Sequence, residues 1–96
     1  MKLLTVVATI IAKKEYIKEV GIHLTKLLFP TRSEDGCVDY DLYHSIDNPR
    51  IYIFYENWDS KGHLDAHLKS KHITSCMNTI NHMIEKLDVH ELKIVN

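Results

Sequence analysis

A chain of 96 residues has the size of one small domain and leaves no room for a second. Hydrophobic residues make up 45% and charged residues 26%, with three Gly and two Pro, a composition that excludes disordered, collagen-like and membrane-spanning classes. Twelve Lys and Arg against 13 Asp and Glu leave a net charge of −1, too weak a field to hold nucleic acid or an anionic membrane surface, so neither is an expected partner. Cys37 and Cys76 lie far apart with no C-x-x-C pair. No disulfide framework or cysteine zinc site is expected, and a cytoplasmic location fits.

The apolar run over residues 3–12 follows Lys2 and superficially imitates a secretory signal, but Thr5, Val6, Val7, Thr9, Ile10 and Ile11 are β-branched and no small-x-small cleavage site follows. It reads as a buried strand. Tyr16, Ile17, Val20, Leu24 and Leu27 then recur at helical spacing, predicting a helix over 14–29 that Pro30 ends. Residues 31–36 form a loop. Over 37–44, Val38, Tyr40, Leu42 and His44 alternate with Asp39, Asp41 and Tyr43, a second strand; turn residues at 46–49 lead into a third over 50–57. Asp59 or Ser60 caps a short helix to about residue 69. Ile73, Met77, Ile80, Ile84 and Leu87, spaced +4, +3, +4, +3, predict a second amphipathic helix, and 89–95 a closing strand. The resulting order, βαββαβ in a single domain over 1–96, is that of an α+β ferredoxin-like fold.

Two helices cover only one face of a four-stranded sheet. The first strand is nevertheless apolar on both faces, with Leu4, Val6, Ala8 and Ile10 alternating with Leu3, Val7 and Ile11, and in the third strand Tyr52 and Phe54 alternate with Ile51, Ile53 and Tyr55. A second copy packed sheet to sheet across a two-fold axis is the simplest cover, so a homodimer is expected.

Seven histidines are many for this length, and three of them, His63, His67 and His72, fall close together. His63 and His67 share a helical face, a spacing that two-histidine metal sites also use. H-L-D-A-H lacks the glutamate of the H-E-x-x-H zinc signature, however, and no third ligand is fixed by spacing, so no metal is expected. The alternatives are solvated helix histidines or an organic site in which an imidazole takes a proton from a phenol, quinol or enol. His67 and His72 are the preferred pair, because a helix break at Ser70 can turn both toward one cleft. Trp58, Tyr55 or Phe54 supply an aromatic wall, although Trp58 equally suits a core anchor. Lys61, Lys69 and Lys71 make the neighbourhood positive, or simply form a solvated face. There is no Gly-rich phosphate loop and no G-x-S-x-G elbow.

Glu34-Asp35-Gly36-Cys37-Val38-Asp39-Tyr40, Glu56-Asn57-Trp58, His63-Leu64-Asp65-Ala66-His67 and His72 together resemble the antibiotic-biosynthesis monooxygenase superfamily, especially its small quinol-monooxygenase-like members. The resemblance implies a dimeric ferredoxin-like α+β barrel. It also implies oxygenation of a small aromatic substrate by O2 with no flavin, haem or metal cofactor. By position, His67 or His72 would be the base and Trp58 part of the site, with Tyr40, His44 and His63 as further substrate-binding candidates. A haem-degrading branch uses an Asn on the first strand, which this chain lacks. Another branch isomerises a phosphorylated signalling sugar and is similar in the histidine segment with a following Cys, here Cys76. That activity, or a non-catalytic dimeric small-ligand-binding domain, is the alternative reading.

Overall fold

A computed structural model describes residues 2–96. Four strands, β1 (Leu4–Ala12), β2 (Cys37–His44), β3 (Ile51–Trp58) and β4 (Ile84–Leu92), form an antiparallel sheet in the order β2-β3-β1-β4. With helices α1 (Ile17–Thr25), α2 (Leu28–Arg32), α3 (Lys61–Leu68) and α4 (Lys71–Ile80), this is the α+β ferredoxin-like fold that the sequence pattern predicts.

Two predicted boundaries are corrected. The single helix over 14–29 is a 3-10 turn at Lys14–Tyr16 followed by α1 and α2, and Pro30 lies inside α2 rather than beyond the helix. Proline is tolerated there because the first turn of a helix has no intrahelical partner for its N–H to lose. The stripe ending in Ile84 and Leu87 is not helical throughout: α4 stops at Ile80, a 3-10 turn covers Asn81–Met83, and β4 starts at Ile84, earlier than the predicted strand. Leu87 and Val89 are two apart in a strand, so they share a face with each other instead of continuing a helical stripe.

Register decides which side chains meet the helices. Ile10 stands opposite Tyr52 and Leu87, Ala8 opposite Phe54 and Val89, and Val6 opposite Glu56 and Glu91. Directly opposed residues share a face. On that face Val6, Ala8, Ile10, Tyr40, Tyr52 and Phe54 bury against Val20 and Leu24 of α1 and Ile73, Cys76 and Ile80 of α4. The helices leave β4 largely uncovered on this side, where Leu87 and Val89 remain 43% and 47% exposed.

The opposite face carries no helix among the described residues. Val7, Ile11, Ile51 and Ile53 are partly exposed there, and Tyr43 and Tyr55 are exposed. Its polar members are tied together: Thr5 Oγ1 donates to Asn57 Oδ1 at 2.6 Å, and Asn57 Nδ2 donates to Asp39 Oδ2 at 2.9 Å. No helix among the described residues is long and apolar enough to cross a membrane.

Candidate active site

The site lies where α3 gives way to α4 over the helix-covered face. Ser60 opens α3, its hydroxyl accepting from the His63 backbone N–H, and Ser70 opens α4 by accepting from that of Ile73. Each satisfies an otherwise unpaired first-turn donor. Ser70 also donates to the His67 carbonyl at 2.7 Å, so the break between the helices is held from both sides. The break places His67 in the last turn of α3 and His72 in the first turn of α4, close to one another in space.

A third residue, from the loop after α2, joins them. Glu34 Oε2 lies 2.7 Å from His67 Nδ1 and 2.8 Å from His72 Nε2, so one carboxylate oxygen accepts from both imidazoles. The Glu34 loop is fixed by a turn in which Gly36 takes φ +80, a left-handed conformation suited to glycine. A Cβ at Gly36 would also collide with the His63 ring, which packs directly over it.

With Nδ1–H donated to Glu34, His67 presents Nε2 as an acceptor, and that atom has no protein hydrogen-bond partner among the described residues. His67 is 2% exposed, with its ring centroid 4.7 Å from Trp58 and 5.5 Å from Tyr40. It lines an apolar cavity of about 100 Å³ together with Tyr40, Phe54, Glu56, Leu64 and Met77, with Leu68, Leu87 and Val89 at the rim. Burial pushes the His67 pKa down, against the upward pull of Glu34. Glu56, buried on β3, has its pKa pushed up to about 7 by burial, against the Trp58 Nε1–H donated to its Oε1 at 2.9 Å. The cavity thus holds two titratable groups whose neutral forms burial favours, an imidazole able to accept a proton and a carboxylic acid able to donate one below about pH 7. The phenol of Tyr40, stacked on Phe54 at 4.7 Å, is driven far up by burial and stays a hydroxyl.

Of the residues singled out in the sequence, His67, His72, Trp58 and Tyr40 come together. His67 and Tyr40 line the cavity; His72 does not, and is joined to His67 through Glu34. Trp58 is fully buried behind His67 and Glu56, so it braces those two side chains instead of forming the cavity wall. His44 and His63 lie elsewhere. His44 is four residues along β2 from Tyr40, roughly 13 Å at the rise of a strand, and it stacks on Tyr52 in a separate groove. His63 bonds Ser60 through Nδ1 and covers Gly36. None of Lys61, Lys69 and Lys71 lines the cavity, and Lys61 is engaged by Glu91 and Asp65, so of the two readings of these lysines the solvated face fits.

Sequence spacing missed Glu34 and Glu56 as site residues. Glu34 is 33 and 38 positions from the histidines it holds, and no local periodicity links such distant residues. Glu56 gave one signal, a carboxylate at an inward position of a strand whose neighbours are apolar.

Comparison with known proteins places this architecture. A family model described as antibiotic biosynthesis monooxygenase matches residues 3–79. Over 49 residues the chain is 45% identical to a Mycobacterium tuberculosis protein named "Putative monooxygenase Rv0793", a match covering 51% of this chain and 48% of that protein. The chain matches about half the length of its curated relatives. A solved structure titled antibiotic biosynthesis monooxygenase superposes with a TM-score of 0.90 at 30% identity, covering 97% of this chain and 99% of the other. Pseudomonas aeruginosa PA3566 shares the fold with a TM-score of 0.95 at 23% identity, over 100% of this chain and 97% of its own.

Proposed function

Because the chain belongs to the antibiotic biosynthesis monooxygenase family, we propose that it oxygenates a small phenol or quinol directly with O2, using His67 as general base. The observation that carries the reading is the pairing of buried His67 with the partly buried Glu34, which leaves His67 Nε2 free beside an apolar cavity. His67 takes the phenolic proton, and the resulting phenolate is electron-rich enough to reduce dioxygen. For a simple phenol the balance is phenol + O2 → quinone + H2O. One oxygen atom enters the ring, the other leaves as water, and the substrate supplies all four electrons.

The other groups have roles consistent with this chemistry. Glu34 fixes the His67 tautomer and stabilises the imidazolium that forms. Glu56, neutral below about pH 7, donates to a substrate oxygen or to the peroxide. Apolar walls exclude water from the anion. The interior volume is of the order that takes one aromatic ring, since an apolar cavity of about 150 Å³ holds benzene, and the half-exposed Leu87 and Val89 give a larger ring system room to extend outward. A phosphorylated sugar finds no cation among the lining residues.

A second copy covers the open sheet face, meeting Val7, Ile11, Ile51 and Ile53 across a two-fold axis. Ile53→Asp would then yield a monomer by sedimentation, and a wild-type monomer at micromolar concentration would defeat the dimer.

The activity is tested by enzyme-dependent O2 uptake on a panel of hydroquinones and naphthols, with 18O2 labelling of product. One labelled oxygen in the product, lost with His67→Gln, supports the reading. Absence of uptake across the panel, or full activity in His67→Gln, overturns it.

A further inference from the structure

A general base needs one imidazole and one acceptor to orient it. This site contains a second imidazole, His72, on the same carboxylate oxygen, and the donor atoms of Glu34, His67 and His72 all lie within 4.8 Å of one another. Two imidazole nitrogens and a carboxylate oxygen are a donor set that suits divalent first-row metals, zinc among them. The geometry points to a second use of these three side chains: they bind a divalent transition-metal ion such as Zn2+, and the bound ion switches off the base.

Three observations support the binding. The ligands come from three short elements that hold them independently: the last turn of α3, the first turn of α4, and the loop in which the Glu34 N–H donates to Thr31 O and its carbonyl accepts from Cys37. The side chains of His72 and Glu34 are 25% and 17% exposed, so an ion reaches them from solvent at the helix junction without crossing the cavity, and water completes its coordination. The present spacings of 2.7 and 2.8 Å are hydrogen-bond distances. Donors around a tetrahedral ion with bonds of about 2.0–2.1 Å stand roughly 3.3 Å apart, so Glu34 withdraws by about half an ångström toward its solvent side while the two imidazole nitrogens, within 4.8 Å of each other, close on the ion by a shift of the partly exposed His72.

The consequence for His67 follows from proton bookkeeping. The ion replaces the hydrogen now on Nδ1, and a neutral imidazole bound through Nδ1 carries its hydrogen on Nε2, the exchange running through solvent. Nε2 then faces the cavity as a donor and can no longer take a phenolic proton. Metal and base exclude each other, a clause that rests on the proposed function, whereas metal binding itself does not.

Co2+ and Zn2+ titrations of the full-length chain test the site without using activity. Co2+ should develop visible d–d absorption saturating at one ion per chain, and Zn2+ should compete it away and raise Tm. Glu34→Gln and His72→Ala should each weaken Zn2+ binding by at least tenfold, while His44→Ala and His63→Ala leave it unchanged; far-UV circular dichroism verifies that every variant is folded. Because His72 lies at the protein's edge, its variant should survive even if Glu34→Gln does not fold. Absence of one-to-one binding at 100 µM Zn2+, or binding indifferent to both Glu34→Gln and His72→Ala, overturns the site. One-to-one binding with undiminished oxygen uptake supports the metal site and overturns the base assignment of His67, so the two failures are distinguishable.

Discussion

His44 and His67 have similar neighbours and different prospects. Each packs against a tyrosine, His44 stacked on Tyr52 at 4.2 Å and His67 edge-on to Tyr40 at 5.5 Å, and each has one ring nitrogen bound to an oxygen. The His44 partner is the neutral Pro49 carbonyl, at an exposed strand end beside an open groove of about 540 Å³. The partner of His67 is a carboxylate, and its ring lines an apolar cavity one-fifth that size. A carbonyl and solvent do little to stabilise an imidazolium or to strip water from an incoming phenol. A carboxylate held against a buried ring, together with apolar walls, does both. The size of a hollow is therefore a poor guide to its chemistry, and the partner of the second ring nitrogen is a better one.

The largest effect should come from breaking this contrast directly. His67→Gln should lower kcat/KM for the best substrate of the panel by about 10²–10⁴, the usual contribution of general base catalysis, whereas His44→Gln should leave it within about twofold. Oxygen-electrode kinetics on both variants checks the pair, and equal losses would erase the distinction drawn between the two histidines.

Glu56 sharpens it through pH. Its carboxyl titrates near 7 in the folded chain and near 4.5 in its ordinary state. The folded state therefore holds the proton more tightly, and stability is lost as pH rises between those two values. The shift corresponds to about 3 kcal/mol at most. Glu56→Gln should be nearly as stable as wild type at pH 4 and more stable by about 2–3 kcal/mol at pH 8, as measured by urea unfolding. It should also flatten the alkaline limb of the pH–rate profile, because amide donation does not titrate. His67 acts in the opposite sense, its lowered pKa removing stability as pH falls through the ordinary imidazole range.

Sequence reading recovered what local periodicity encodes. Alternation in β1, β2 and β3 and the Ser70 break were legible because a strand repeats every two residues and a cap acts within one turn. The histidine pair was legible for the same reason. Glu34 was not, since its meeting with His67 and His72 depends on how the 33–36 turn sits over the helix junction, a tertiary relation with no sequence period. For Trp58 the sequence supports a wall or a core anchor alike, on similar grounds: an indole at the end of a strand can line a hollow or stand behind one, and full burial with the bond to Glu56 decides for the anchor. The α4 stripe misled because Ile84 and Leu87 are apolar for a reason of their own, one packing against the core and the other forming the cavity rim, so apolarity continued where the helix did not.

Gly36 connects the loop carboxylate to the helix histidines. Gly36→Ala should cost about 1–2 kcal/mol for the left-handed backbone alone, with the collision against His63 added. Gly36→Ala/His63→Ala should relieve only the collision. If Glu34 is held in place by this turn, the single variant should lose activity beyond what its lower Tm explains, and the double variant should recover part of it.

The smallest effect provides the finest comparison, between two caps of equal local worth. Ser60→Ala and Ser70→Ala each remove one N-cap hydroxyl, which costs about 1 kcal/mol, so thermal or urea unfolding should barely tell them apart. Their settings differ. The Ser60 hydroxyl meets His63, outside the cavity, whereas that of Ser70 donates to the His67 carbonyl and lies 3.3 Å from His72 Nε2. Ser70→Ala should therefore loosen the α3–α4 break that sets the His67 and His72 rings on Glu34, lowering kcat severalfold at unchanged KM, while Ser60→Ala loses stability alone. Equal kcat values in two equally destabilised variants would mean that the histidines are positioned by Glu34 and core packing without help from the helix break.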